Sequence, residues 1–279
     1  MKPAPTLPDV DDAPAELFAS GHLWILEAVD GAPLRFQLDA SGLLTFGDRD
    51  RVYDRADAVP DPYRHAVRHV RERLDRDALR AAVDDVEDVV FFGVATHQHA
   101  VDYDWDRLPS FLGTDVWSAG SFRPPDVAHG IFEALDLAPI TPIERELPAR
   151  DFDPDSYVIP ESAWYDGPAA GVVVRNKAGG RAKLSSDDMP IRSGTEDDLT
   201  PGDATADELA DAYATSDRFD AAVTALEERG RPVAVDAVTE RVFEAVVRRH
   251  HRTLYAGAES ADGDALRSAI ATRAQRIVG

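Results

Sequence analysis

The sequence predicts an α+β fold in two parts, a domain of antiparallel sheets with flanking helices followed by a helical C-terminal domain. Three observations carry this. Short apolar runs alternate with glycine-containing turns between residues 23 and 46. Continuous apolar runs recur at Val89–Val94 and Gly171–Arg175. After a polar stretch, apolar positions fall at helical spacing to the end of the chain. The predicted boundaries are 1–190 for the first domain, 191–204 for a linker and 205–279 for the helical domain. A chain of 279 residues with 44% hydrophobic content can bury one sizeable core and a smaller one.

The elements follow in order. Leu23-Trp24-Ile25-Leu26 and Leu34-Arg35-Phe36-Gln37-Leu38 read as two strands around Asp30-Gly31, with a further turn at Ser41-Gly42. From Pro62 to about Val83, Ala66, Val70, Leu74 and Leu79 mark one face of an amphipathic helix. Val89 to Val94 and Ser110 to Trp117 read as buried strands, and residues 126–136 as a short helix. A proline-rich passage through Pro139, Pro142, Pro148, Pro154 and Pro160 leads to the strand Gly171–Arg175. Ser185 to Asp203 is polar and holds Gly194, Pro201 and Gly202, the composition of a linker. Thr205 and Glu208 form a capping box, and helices are expected at about 206–229, 233–254 and 262–277.

Charge is the strongest compositional bias. The chain carries 52 acidic and 30 basic residues, a formal net charge of −22, and its lysines are Lys2, Lys177 and Lys183. Dense carboxylates hold hydration at high salt, and molar salt screens their repulsion to within about 3 Å. The pattern resembles proteins of salt-accumulating haloarchaea, with an acidic mesophilic protein as the alternative. Such a surface does not exclude a local basic groove for nucleic acid. The absence of cysteine excludes disulfides, thiolate metal sites and a cysteine nucleophile. With no secretory h-region in the first twenty residues and no long apolar stretch, the expectation is a cytoplasmic protein with no membrane partner.

Five short motifs recur in a meaningful order. Glu27-Ala28-Val29-Asp30-Gly31 follows the first strand, with Arg35-Phe36 downstream. Gly47-Asp48-Arg49-Asp50-Arg51 occupies a turn. Phe91-Phe92-Gly93-Val94 ends a strand, and His99 to Tyr103 follows. Phe111 to Trp117 contains Thr114, and Ala170-Gly171-Val172-Val173-Val174-Arg175 precedes Arg181-Ala182-Lys183 by a few residues. This order resembles the ATP-dependent RNA ligase family of the covalent nucleotidyltransferase superfamily. In that family a K-x-D-G lysine attacks ATP and holds AMP as a phosphoramidate.

The resemblance implies an adenylyltransferase (ATP-grasp-like ligase) domain, and ATP or AMP with Mg²⁺ as family cofactors. It implies nucleotide contacts at Glu27, Asp30, Gly31, Arg49, Thr114, Arg175 and Lys183, and RNA ends as partners. It also exposes three departures. Ala28 stands at the nucleophile position, and Val94 and Ala170 stand where the family places glutamates. With these positions lining one cleft beside Lys183, the expectation is a pseudoenzyme that binds a nucleotide or an RNA end and cannot adenylylate itself. The alternatives are an active ligase using a displaced lysine and a protein–protein scaffold.

Other candidates are weaker. Arg248, Arg249 and Arg252 form the densest basic run and could neutralise RNA phosphates, or simply complement a helix dipole. His97 and His99, His65 and His69, and His250 and His251 have spacings able to chelate metal. Each pair reads as turn or solvated residues, so no metal site is expected.

Overall fold

In the computed structural model the described residues are 1–186, 199, 201, 202, 204–255 and 259–278. The predicted linker at 191–204 lies largely outside them. The chain forms two compact units: residues 1–59, 66–96 and 101–190 make the first, and 60–65, 97–100 and 191–279 the second.

The first unit is built on two antiparallel sheets. One has four strands in the order β10 (Arg181–Ser185), β9 (Gly171–Asn176), β1 (His22–Glu27) and β8 (Pro142–Pro148). The other has six, in the order β4 (Val52–Tyr53), β3 (Leu44–Gly47), β2 (Ala32–Leu38), β5 (Val90–Ala95), β6 (Phe111–Ser118) and β7 (Ser121–Phe122). The apolar runs found in sequence became β1, β2, β5, β6 and β9. They are interior strands of their sheets, paired on both sides, with most of their side chains buried.

The first two strands do not pair with each other. β1 pairs with β8 and β9, whereas β2 pairs with β3 around the Ser41-Gly42 turn and with β5. Asp30-Gly31 is therefore a crossover between sheets rather than a hairpin turn. Asp30 fixes it: its carboxylate accepts from the Val101 N–H at 2.8 Å, and its own N–H donates to the Tyr103 hydroxyl at 3.0 Å.

Five strands escaped the sequence reading: the short β3, β4 and β7, and the two edge strands of the four-stranded sheet, β8 and β10. β8 lies within the proline-rich passage, but it is an edge strand with Pro142 and Pro148 at its ends, where a missing N–H breaks no ladder. β10, at the other edge, is short and carries Arg181 and Lys183.

Phenylalanines fill the interior of the six-stranded side. Phe36 stacks on Phe91 at 4.8 Å between ring centroids, and Phe132 from α4 (Pro125–Ala134) meets Phe91 edge-on at 5.9 Å. Phe36, Phe91, Phe111 and Phe132 are fully buried, and burying each contributes about 1.5–3 kcal/mol. Beneath the four-stranded sheet, Leu17 of α1 (Glu16–Ala19) packs with Leu23, Ile25, Phe152 and Val174. The helix predicted from Pro62 to Val83 is two, α2 (Asp61–Arg73) and α3 (Arg76–Ala82). Asp75 begins the second as an N-cap, accepting from the Ala78 N–H at 2.8 Å.

The second unit is helical: α5 (Ala206–Tyr213), α6 (Ser216–Glu227), α7 (Val235–Arg249), α8 (His251–Tyr255) and α9 (Gly263–Val278). The capping box forms, with the Glu208 carboxylate accepting from the Thr205 N–H at 2.8 Å. Two of the three predicted helices are broken, at Ala214-Thr215 and at His250, whose φ/ψ of −126°/25° leave the helical region. Phe219, Val242, Phe243, Val246, Leu266 and Ile270 form its core. Among the described residues no helix is long and apolar enough to cross a membrane.

Candidate functional site

A cleft of about 330 Å³ opens in the first unit where the chain crosses from one sheet to the other. Its walls come from the end of β1, the crossover, β2, β5, β6, β9, β10 and residues 4–7 near the N-terminus. Glu27, Ala28, Gly31, Arg49, Val94, Thr114, Arg175 and Lys183 all line it. Six of the seven residues assigned to nucleotide contact are thus brought together, along with two of the three altered positions.

The exceptions are Asp30 and Ala170. Asp30 is turned toward Val101 and Tyr103 and holds the crossover instead of facing the cleft. Ala170 is buried beside Gly171 and is not part of the wall. Its neighbour bears on the site through the backbone, because the Ala28 N–H donates to the Gly171 carbonyl at 3.0 Å and fixes the chain at position 28.

Sequence reasoning missed the strongest electrostatic feature. Asp115 of β6 is buried, and one oxygen, Oδ1, accepts from Arg175 at 2.6 Å and from Arg181 at 2.8 Å. Arg175 also donates to the Thr114 carbonyl at 2.6 Å. Both guanidinium groups are at least as buried as the carboxylate. Burial lowers the Arg175 pKa, offset by Asp115 and reinforced by the neighbouring Arg181. One carboxylate facing two guanidinium groups leaves a net positive charge at the base of the cleft. Arg35 adds to it, held in place by bonds to the carbonyls of Lys2 at 2.5 Å and Arg51 at 3.4 Å.

Counting charged side chains, five cations (Arg35, Arg49, Arg175, Arg181, Lys183) face three carboxylates (Glu27, Asp48, Asp115). In a protein of net charge −22 this is a local reversal of sign, and cationic walls of low dielectric concentrate anions.

All three carboxylates are already engaged by protein groups. Asp115 is taken by its arginines. Asp48 accepts from the N–H groups of Asp50 and Arg51 and from the Tyr53 hydroxyl, at 2.7–2.8 Å. Glu27 accepts from the Ser162 hydroxyl at 2.6 Å and the Ala163 N–H at 3.2 Å. Mg²⁺, which prefers oxygen ligands in octahedral geometry, does not fit this donor set.

Burial raises the Glu27 pKa above its ordinary 4.5, the Ser162 and Ala163 bonds opposing. A raised carboxyl pKa adds stability that is present below the unfolded value and lost as pH rises through the folded one. Wild type should therefore lose stability relative to Glu27→Gln between about pH 4 and about pH 8. Urea midpoints of both proteins at the two pH values check this, and a constant difference would contradict it.

The three lysines are separated. Only Lys183 reaches the cleft. Lys177 is ion-paired to Asp126 at 3.1 Å and Glu146 at 2.8 Å, and Lys2 lies 4.0 Å over the Trp117 ring. In the second unit, Arg248 is buried, which removes it from any surface basic patch, while Arg252 is exposed; all three arginines of the run have interactions of their own.

No protein-family model matches the sequence, and neither does any curated protein. Solved structures do. Two mutants of Naegleria gruberi RNA ligase, each with ATP and manganese, superpose with TM-scores of 0.52 at 9% and 8% identity. Each match covers 67% of this chain and 56% of that one. An archaeal ATP-dependent RNA ligase matches with a TM-score of 0.46 and 16% identity, over 98% of this chain and 63% of its own. The chain thus spans little more than half the length of the Naegleria enzyme. The likeness shows the fold: antiparallel sheets with flanking helices, the nucleotidyltransferase fold of RNA ligases.

Proposed function

We propose that this chain, which has the nucleotidyltransferase fold of RNA ligases, binds a nucleotide or the phosphorylated end of an RNA and does not form a lysyl–AMP bond. The supporting observation is the composition of the cleft. Arg35, Arg175, Arg181 and Lys183 give it a surplus of cations suited to phosphate, while Ala28 and Val94 stand where the resembling family has its lysine and a glutamate. Apolar walls from Leu26, Pro33, Phe92, Ile140 and Val173 suit a base. An alanine side chain cannot displace pyrophosphate, and the carboxylates present are already engaged, so AMP or ATP fits this site and Mg²⁺ does not.

The second reading is an active ligase with a displaced nucleophile, and it narrows to Lys183, the one lysine at the cleft. The test is incubation of the full chain with α-labelled ATP and Mg²⁺ in molar salt, in parallel with equilibrium binding of AMP, ATP and 5′-phosphorylated RNA. The proposed function requires no covalent label, together with binding that Lys183→Ala weakens by about 1.5–3 kcal/mol, the worth of a hydrogen bond to a charged group. Covalent label that disappears in Lys183→Ala would replace it with the displaced-nucleophile reading. Neither label nor binding would leave a protein–protein scaffold.

A further inference from the structure

His97, His99 and His251 gather at one point of the second unit. By sequence the first two are alternate residues beyond a strand and the third belongs to a basic run 152 positions past His99, so nothing local announces their meeting. Three constraints create it. β5 ends at Ala95, and the Gln98 N–H donates to the Arg248 carbonyl at 3.0 Å, holding residues 97–99 against the end of α7. The break at His250 then starts α8 with His251 facing them.

The His97 and His99 Nε2 atoms lie 3.1 Å apart. The His251 ring is 4.0 Å from that of His97 and 4.8 Å from that of His99. One ligand nitrogen from each lies within 4.8 Å of the other two. His97 is 1% exposed, and its Nδ1 is buried with no hydrogen-bond partner among the described residues.

Bare imidazoles satisfy one another poorly in this arrangement. A neutral ring offers one donor and one acceptor, so a shared N–H can serve one pair and leaves the third nitrogen facing neighbours it cannot bond equally. A cation at the centre takes a lone pair from each ring at once. Zn–N bonds of 2.0–2.1 Å in a tetrahedron imply nitrogen–nitrogen edges of about 3.4 Å, close to the 3.1 Å found between His97 and His99. Two of the three rings sit where the charged form is disfavoured. Burial, then the charges of His251, His99 and Arg248, push the His97 pKa down to about 2, and burial followed by His99 pushes His251 down to about 4 against a bond to the Gln98 backbone.

We propose that His97, His99 and His251 bind one divalent transition metal, Zn²⁺ foremost, leaving a fourth position for water. The donor set selects the class, since imidazole suits zinc, copper and nickel while oxygen-seeking Mg²⁺ and Ca²⁺ find no carboxylate in the group. The ion ties residues 97–99 to the α7–α8 break and closes a chain loop of about 150 residues, an entropic restraint that grows with loop length. It acts as a staple within the helical unit and does not depend on the function of the cleft.

The full chain, stripped with chelator and titrated with Co²⁺, should develop one equivalent of the visible absorption of tetrahedral cobalt, abolished by Zn²⁺ and unaffected by Mg²⁺. Zn²⁺ should also raise the thermal midpoint. His99→Ala and His251→Ala should weaken Zn²⁺ binding by roughly 100-fold or more while keeping the far-UV circular dichroism of the metal-free protein. His99 is only partly buried, so its variant isolates ligand loss from core disruption. Absence of the cobalt spectrum in the wild-type chain, or Zn²⁺ affinity unchanged in both variants, overturns the site.

Discussion

Replacing Asp115 by asparagine should lower the stability of the first unit by about 3 kcal/mol, the low end of the ~3–5 kcal/mol typical when one partner of a buried ion pair is removed. The substitution keeps the shape and removes the charge. It leaves Arg175 and Arg181, with 3% and 7% of their side chains exposed, as two buried guanidinium groups without a counter-ion. The low end applies because the pair borders a cleft that admits water and anions. For domains of 150–250 residues the thermal midpoint should fall by roughly 6–12 °C, about 2–4 °C for each kcal/mol. Exposed Asp11→Asn is the matched control and should stay within about 0.5 kcal/mol. Two further outcomes follow from the charge argument. Adding Arg181→Met to Asp115→Asn should recover part of the loss, since it removes one of the uncompensated cations. Phosphate should stabilise Asp115→Asn more than wild type. A midpoint unchanged in Asp115→Asn would show that the cluster does not hold the sheets as its geometry indicates.

The cluster also marks the limit of what the sequence discloses. Central strands were legible because both faces are buried and the apolar run is continuous, as in Leu23–Leu26 and Val90–Phe92. The capping box at Thr205 was legible because both partners lie within one turn. Asp115 and Arg181 are 66 positions apart and sit in different sheets, so no local pattern joins them. One signal was available: Asp115 interrupts the apolar run Phe111–Trp117, and a carboxylate in a strand buried on both faces requires a cationic partner. The edge strand β8 was hidden by prolines that its position tolerates, and the crossover at Asp30-Gly31 by a dipeptide equally at home in a hairpin. Of the residues that line the cleft, Glu27 of β1 and those on β5, β9 and β10 lie within the motifs singled out in sequence. Asp30, taken as a nucleotide contact from the same motif, turned out to be bonded into the crossover.

That crossover bears on how the retained glycines are to be read. In sequence, Gly31 and Gly171 beside Ala28 and Ala170 suggest a pocket whose frame was kept while its catalytic groups were lost. The structure supplies a purely steric reason. Gly31 has φ +151°, and a Cβ there would stand 2.2 Å from the Ala95 carbonyl oxygen; Gly171 has φ +152°, and its Cβ would stand 2.4 Å from the Leu184 carbonyl oxygen. Both obstacles are backbone atoms of a paired strand and cannot swing aside. Gly31→Ala should therefore destabilise the first unit by about 3 kcal/mol or more, because either the Ala32–Ala95 pairing opens or the Asp30–Val101 bond breaks. Gly120→Ala separates the two contributions: φ there is +79° with nothing within 4 Å of the added carbon, so only backbone strain of about 1–2 kcal/mol applies. Urea unfolding of the two variants measures the contact cost as their difference. If Gly31→Ala is tolerated as well as Gly120→Ala, the crossover is looser than described and the glycine would need a ligand to explain it. If the difference appears, Gly31 is required by the switch between sheets whether or not anything binds. The case for a phosphate-binding cleft then rests on its cations alone, on Arg175, Arg181, Arg35 and Lys183, which the fold does not require in the same steric way.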